Sequence, residues 1–180
     1  MPDKVKYGIK NVHYALKTTS GYSTPVSMPG AVSLSMSPNG DMEIFHADDI
    51  NYFVTLANNG FDINLEVAYV PETFNQDIMG MKADAGSKVL YEDANVQPKA
   101  FALLFEEEGD ADGTKYVIYN CVANRPSRQL ATKENSINPQ TQSLAIQSSP
   151  ESSGETFAMT KSDTTTAALS GWYSSVWQHT

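Results

Sequence analysis

Three stretches of the 180-residue chain carry side chains of the kinds that ligate metals or act as nucleophiles. Glu106-Glu107-Glu108-Gly109-Asp110-Ala111-Asp112-Gly113 has the carboxylate density of a calcium loop. An EF-hand needs oxygen ligands at fixed positions, a bidentate Glu at the twelfth, and a helix to follow. With Asp110, Asp112 and Gly113 in register, Glu108 comes first and Tyr119 stands where that Glu belongs. The residues that follow have strand character, so the run reads as an exposed hairpin tip. His46, Asp48 and Asp49 offer three ligands in four residues, but no second histidine is near, and His13 and His179 sit at opposite ends. That stretch reads as a solvated or interface loop. Gly21-Tyr22-Ser23-Thr24-Pro25 approaches a nucleophile elbow, yet its last glycine is a proline and no strand leads into it. No Walker A sequence, dinucleotide fingerprint or zincin motif occurs. Cys121 lies in an apolar run with no His or Lys beside it, which marks a buried core thiol. Trp172 and Trp177 could stack on a sugar, but at their spacing they read as core. No enzyme activity, cofactor or metal is assigned.

The elements that must position these groups have a period of two. Phe61, Ile63, Leu65, Val67 and Tyr69 alternate with Asp62, Asn64, Glu66 and Ala68, the pattern of a half-buried strand. Val32, Leu34 and Met36 alternate with Ser33, Ser35 and Ser37 before the turn Pro38-Asn39-Gly40. Strands are also expected at 42–45, 52–56, 144–146 and 157–159, and a hairpin from 100–105 and 116–122. Pro71 opens a helix of about two turns with Phe74 and Ile78 on one face, closed by Gly80. A second helix is expected over 163–178, capped by Asp163, with Leu169, Trp172 and Val176 together and Gly171 weakening it. The expectation is one mainly β domain over 1–180: an antiparallel β-sandwich or partial barrel with a short flanking helix and a C-terminal helix. Residues 1–20 form an N-terminal arm in this reading, and the polar stretch 125–141, with Pro126 and Pro139, forms a long functional loop.

Charge narrows the function. Twelve Lys and Arg against 21 Asp and Glu give a net charge of −9. Such a surface repels phosphate backbones and anionic membranes, which disfavours a protein that grips nucleic acid or lipid. The distribution is uneven, because residues 1–17 hold Lys4, Lys6, Lys10 and Lys17 against Asp3 alone, a basic arm on an acidic body. Nowhere is there a run of about 18 apolar residues, the length a spanning helix needs. The first ten residues lack the apolar block of a signal peptide, so a reducing cytoplasm is the expected site of folding.

Tyr7-Gly8-Ile9-Lys10-Asn11-Val12-His13-Tyr14-Ala15 resembles the opening of phage major tail proteins of the phi-thirteen type, which build the long non-contractile tails of phages of Gram-positive bacteria. The resemblance continues in order through residues 29–40, Ala47-Asp48-Asp49, 61–69, 71–80 and Ala131-Thr132-Lys133-Glu134-Asn135-Ser136, and into the aromatic end at Trp177. It covers nearly the whole chain, by co-linearity and not by any one motif. It implies a tail-tube fold whose subunits close into hexameric rings, stacked around a tape measure protein between terminator and distal tail proteins. It further implies a place in the virion tail tube, assembly in the host cytoplasm, and DNA only as transient cargo.

Within that reading, Asp62, Asn64 and Glu66, with Ser33 and Ser35 on a neighbouring strand, are the candidates to face the lumen. Lys4, Lys6, His46, Asp48, Asp49, Arg125 and Arg128 are the candidates for contacts between subunits or rings. The competing reading from another class is a secreted or surface β-sandwich that binds carbohydrate through Trp172 and Trp177.

Overall fold

The computed structural model describes residues 8–47, 50–109, 113–130, 132 and 140–179, and for 43–47 and 50–54 the backbone alone. Fourteen strands and two helices follow in chain order among them. They are β1 (Ile9–Thr18), β2 (Gly21–Tyr22), β3 (Val26–Ser27), β4 (Ala31–Pro38), β5 (Met42–Ala47), β6 (Ile50–Leu56) and β7 (Phe61–Val67), then α1 (Glu72–Asp77). After it come β8 (Lys82–Ala83), β9 (Leu90–Tyr91), β10 (Phe101–Glu107), β11 (Lys115–Ala123), β12 (Ser127–Arg128), β13 (Gln142–Ser148) and β14 (Phe157–Met159), then α2 (Thr166–Gly171). Ten strands make one antiparallel sheet in the order β2-β1-β10-β11-β13-β7-β4, with β3, β12 and β14 alongside. The pairs β5–β6 and β8–β9 stand apart as two-stranded ribbons.

The sheet curls until β4 comes back close to β1, but no ladder joins them among the described residues. It is a partial barrel, not a closed one, and the mainly β, antiparallel class with two short helices is as expected. Its inner face holds the larger core: Val12, Tyr14, Phe61, Ile63, Leu65, Phe101, Leu103, Ile118, Leu144 and Ile146 among others. α1 plugs this core with Phe74 and Ile78, both fully buried. Phe74 meets Tyr14 and Phe101 edge to face, at 5.0 and 5.5 Å between ring centroids, and the Tyr14 hydroxyl donates to Asp77 at 3.1 Å. A second, smaller core lies on the outer face of β1, β10 and β11, where Ala15, Ala102, Leu104, Val117 and Tyr119 are covered by Trp172.

β7 behaves as its alternation demands, buried at every odd position. β1 is the departure. The arm expected over 1–20 is instead a ten-residue strand from Ile9, paired to β10 and buried at Val12, Tyr14 and Ala15. It escapes the period-two signal because consecutive residues are buried on opposite faces, Tyr14 inward and Ala15 outward. A bulge between Lys10 and His13, with Asn11 at φ +54°, also breaks its register. The helix expected over 163–178 is likewise shorter. Thr165 caps it, accepting from the Ala168 amide at 3.4 Å, while Asp163 is drawn to Lys161 at 3.0 Å. It ends at Gly171, and the aromatics beyond follow the sheet surface instead of a helical face. Residues 125–141 contain β12, which pairs with β13; 131 and 133–139 lie outside the described residues.

Because Phe74 has no exposed surface and ties α1 to two strands, Phe74→Ala is expected to cost about 3–5 kcal/mol. Urea unfolding checks this: the midpoint falls with an unchanged m-value if one cavity is the cause.

Candidate assembly surface

Where α2 does not reach, the outer face of the sheet is open. Register sets three rows across β4, β7 and β13: Ser33–Glu66–Ser143, Ser35–Asn64–Ala145 and Ser37–Asp62–Gln147. All five lumen candidates, Ser33, Ser35, Asp62, Asn64 and Glu66, therefore share one uncovered face. The structure adds Ser37, Ser143, Gln147, Asn39 and Thr141 to it. Ser37 is legible in the same alternation; the β13 residues are not, because only 144–146 announce that strand.

The face is cross-linked by its own polar groups. Glu66 accepts from the Ser33 hydroxyl at 3.1 Å and from the Thr141 hydroxyl. Asp62 accepts from the Gln147 amide at 3.0 Å and from Asn39 at 3.4 Å, and Ser143 donates to Asn64 at 2.6 Å. The hydrogen bonds from Thr141 and Ser33 hold the Glu66 carboxyl below the usual carboxylate range. None of β4, β7 and β13 contains a lysine or arginine, so no cation stands in the rows. Ser35, Ser37, Asp62, Asn64, Asn124 and Gln147 line an open groove of about 430 Å³.

Beside this face β4 and β7 extend into the ribbon β5–β6. The join is tight: Asn39 donates to the Gly60 carbonyl at 2.8 Å and Ala57 to that of Asp41 at 3.1 Å. A Cβ on Gly40 would sit 1.8 Å from the Ala57 carbonyl oxygen, so only glycine fits there. Met42 pairs with Leu56 at the base of the ribbon, and they are 60% and 68% exposed. His46 pairs in register with Asn51, and its side chain lies outside the described residues, as do Asp48, Asp49, Lys4 and Lys6. Arg125 sits in a solvent-exposed pair with Glu92 at 2.6 Å, and Arg128 is exposed on β12. Neither joins the polar rows.

The remaining chemical candidates are used structurally. Cys121 is fully buried, and burial pushes its thiol up, away from reactivity. The Ser23 hydroxyl accepts from the Leu16 amide at 3.0 Å. Trp172 is buried and donates to the Tyr116 carbonyl at 3.4 Å, so it has no face to offer a sugar. Glu106, at the start of the acidic run, lies inside the sheet and not in a loop; residues 110–112 of that run lie outside the described residues. No helix among the described residues is long and apolar enough to cross a membrane.

With this geometry in view, the chain can be set beside solved structures. One chain of the anti-feeding prophage baseplate, determined by cryo-electron microscopy, matches over 91% of this chain and 99% of its own, at 9% identity and a TM-score of 0.50. The sheath-tube complex of an extracellular contractile injection system contains another, over 87% and 93%, at 13% identity and a TM-score of 0.50. The fold is similar to that of chains in these particles. No family model and no curated protein matches the sequence.

Two of the four lysines assigned to a basic arm are spent inside the subunit. Lys10 reaches Glu106 at 3.1 Å, with Lys115 at 3.3 Å and Asn11 at 3.0 Å. Lys17 reaches Glu151 at 2.8 Å and the Asn120 side chain at 2.9 Å, and Tyr22 also donates to Glu151. Burial alone would raise both carboxyls. For Glu106 the hydrogen bonds from Asn11 and Lys10 and the Lys115 charge outweigh it, as Lys17 and Tyr22 do for Glu151, so both titrate below the ordinary value of 4.5. A carboxyl depressed in the folded state stabilises it above the unfolded pKa and loses that contribution as pH falls through the folded one. Thermal stability is thus expected to hold from about pH 7 to about pH 5 and to drop below that. A pH series of melting curves checks this: the Glu106→Gln, Glu151→Gln double variant must show a shallower acid limb, and an unchanged one refutes the assignment.

Proposed function

We propose that this chain is a structural subunit of a phage tail or phage-tail-like tube, in which copies close side by side into rings and the rings stack. The observation that carries the reading is the uncovered polar face of β4, β7 and β13, lying on strands that end at β4 in an edge with no partner among the described residues. An edge of free amides and carbonyls is a template for another chain, and pairing it in a closed ring removes that liability. A head-to-tail contact that closes by rotation gives a ring, and stacked rings give a tube. The ribbon β5–β6 points the same way, since an isolated two-stranded hairpin is marginal in water and gains from a neighbour.

Six copies per ring is the number we propose. Both the resemblance to phi-thirteen-type tail proteins and the six-fold symmetry of the baseplate holding one neighbour favour it. One solved neighbour belongs to a contractile injection system, whereas the sequence resemblance is to long non-contractile tails, and we take the latter. In such a tail the partners are the tape measure, terminator and distal tail proteins, and the location is the virion tail, assembled in the host cytoplasm. Ser33, Ser35, Asp62, Asn64 and Glu66 then face the lumen. Their anionic, hydrogen-bonded surface repels the phosphate backbone of passing DNA, which crosses as cargo and is not gripped. The role is structural, not catalytic.

Electron microscopy of purified protein tests assembly directly, with rings or tubes expected. For the face, Asn64→Cys is labelled with a bulky maleimide before and after assembly. The free subunit is expected to label and the tube to resist, with buried Cys121 silent in both. Equal labelling of the tube places this face outside and sinks the lumen assignment.

A further inference from the structure

An ion pair between Lys17 and Glu151 needs no third group, yet the Lys17 ammonium also donates to an amide. It reaches Glu151 Oε2 at 2.8 Å and Asn120 Oδ1 at 2.9 Å, so a carboxylate and an amide carbonyl sit on one nitrogen. Lys17 and Tyr22 are cross-strand partners on β1 and β2, which puts both side chains on one face. Asn120 belongs to β11, and β10 separates that strand from β1. A bulge turns it toward them. Phe101 pairs with Cys121 and Leu103 with Ile118, so β11 carries an extra residue at 119–120, and Asn120 takes φ +48°.

The surroundings hold all three groups in place. The Tyr22 hydroxyl donates to Glu151 and accepts from the Asn120 backbone amide at 3.0 Å. Asn120 Nδ2 donates to Ser149 Oγ at 2.7 Å, which leaves the side-chain carbonyl to Lys17. The Glu151 side chain is 10% exposed and that of Lys17 33%. We propose that these residues form an autocatalytic site that joins Lys17 to Asn120 through an isopeptide bond, with Glu151 as proton carrier. The cluster around Glu106 has the same residue types in a different arrangement. There Asn11 turns its Nδ2 to the carboxylate at 3.0 Å, and Lys10 and Lys115 reach Glu106.

The step needs no oxidant and no cofactor. Glu151 takes a proton from the Lys17 ammonium and frees the lone pair on Nζ. That pair attacks Asn120 Cγ, forming the new C–N bond while the carbonyl π electrons move onto Oδ1. Glu151 passes its proton to Nδ2, the carbonyl re-forms, and the Cγ–Nδ2 bond breaks to release ammonia. The second proton shed by Nζ goes to Glu151 and then to the ammonia, which leaves as ammonium. Glu151 ends ionised, as it began. Holding amine and amide together makes the attack unimolecular, which supplies the rate. The product staples β1 to β11 across β10, closing a loop between positions 103 apart in sequence. Like a disulfide, it restricts the unfolded chain.

Intact-mass measurement of the purified chain, during incubation in mildly alkaline buffer, tests the site. The expected result is loss of one ammonia from the folded protein and none in urea. Digestion with trypsin must then yield a branched peptide that joins Lys17 to Asn120. Glu151→Gln is expected to slow the loss about 10²–10⁴-fold, the range of general acid–base catalysis, and Lys17→Arg to abolish it. Folded wild-type protein that keeps its full mass overturns the proposal. So does an ammonia loss that survives Lys17→Arg, because closure of Asn120 on its own backbone gives the same mass. Neither outcome depends on whether copies assemble, so the tube reading stands or falls separately.

Discussion

A ten-stranded antiparallel sheet that curls around one core without closing is the constraint from which the other features follow. Its inner face needs filling, and Phe74 of α1 and Ile78 just after it help to fill it, Phe74 wedged between Tyr14 and Phe101. Its outer face is too wide for one short helix, so α2 and Trp172 cover only β1, β10 and β11. The strands under that cover, β10 above all, are apolar on both faces. The strands beyond it keep a polar outer face, and the last of them keeps an edge with no partner among the described residues. Closing the barrel within one chain would have satisfied β4 and removed the edge through which the proposed ring would close.

How far the sequence disclosed this depends on how each strand is buried. β7 and β4, with one wet face, announce themselves by alternation, and with them the five polar residues that share that face. The bulge between Ala31 and Ser33 spoils the pattern only locally, leaving Val32 54% exposed against its expected inward side. β1 hides because both its faces are covered and Asn11 breaks its register. The two-residue strands β2, β3, β8, β9 and β12 are too short for any period. The C-terminal helix is shorter than its pattern suggests because Leu169, Trp172 and Val176 have helical spacing, while the burial of Trp172 and Val176 comes from the sheet beneath. Which polar residues of β13 complete the rows is a matter of long-range register, set by pairings such as Asp62 with Gln147 across a wide sequence separation.

The charge pattern also reads differently once folded. A basic arm on an acidic body suggests a simple two-part attraction, but Lys10 and Lys17 are engaged within their own subunit. There they serve to bury two carboxylates, Glu106 and Glu151, that tie the C-terminal aromatics and the 149–155 turn to the sheet. Tyr173 joins the first of these clusters, stacked on His13 at 4.5 Å between centroids with the Lys115 ammonium 5.1 Å from its ring. Half of the arm's lysines, Lys10 and Lys17, therefore serve internal structure.

The acidic rows pose an energetic question of their own. Carboxylates brought together around a ring repel one another, and a protonated or cation-bridged wall would relieve that repulsion. Here the relief is local: Ser33 and Thr141 on Glu66, and Gln147 and Asn39 on Asp62, solvate each charge with donors from its own subunit. The bonds from Thr141 and Ser33 favour the ionised form of Glu66, so in the proposed tube that charge would need no cation beside it. At physiological salt the Debye length is about 8 Å, so the repulsion acts only near contact. If the face lines a lumen as proposed, a charged wall of this kind would not push on a polymer at the axis, but it would deny that polymer any place to adhere when it touches.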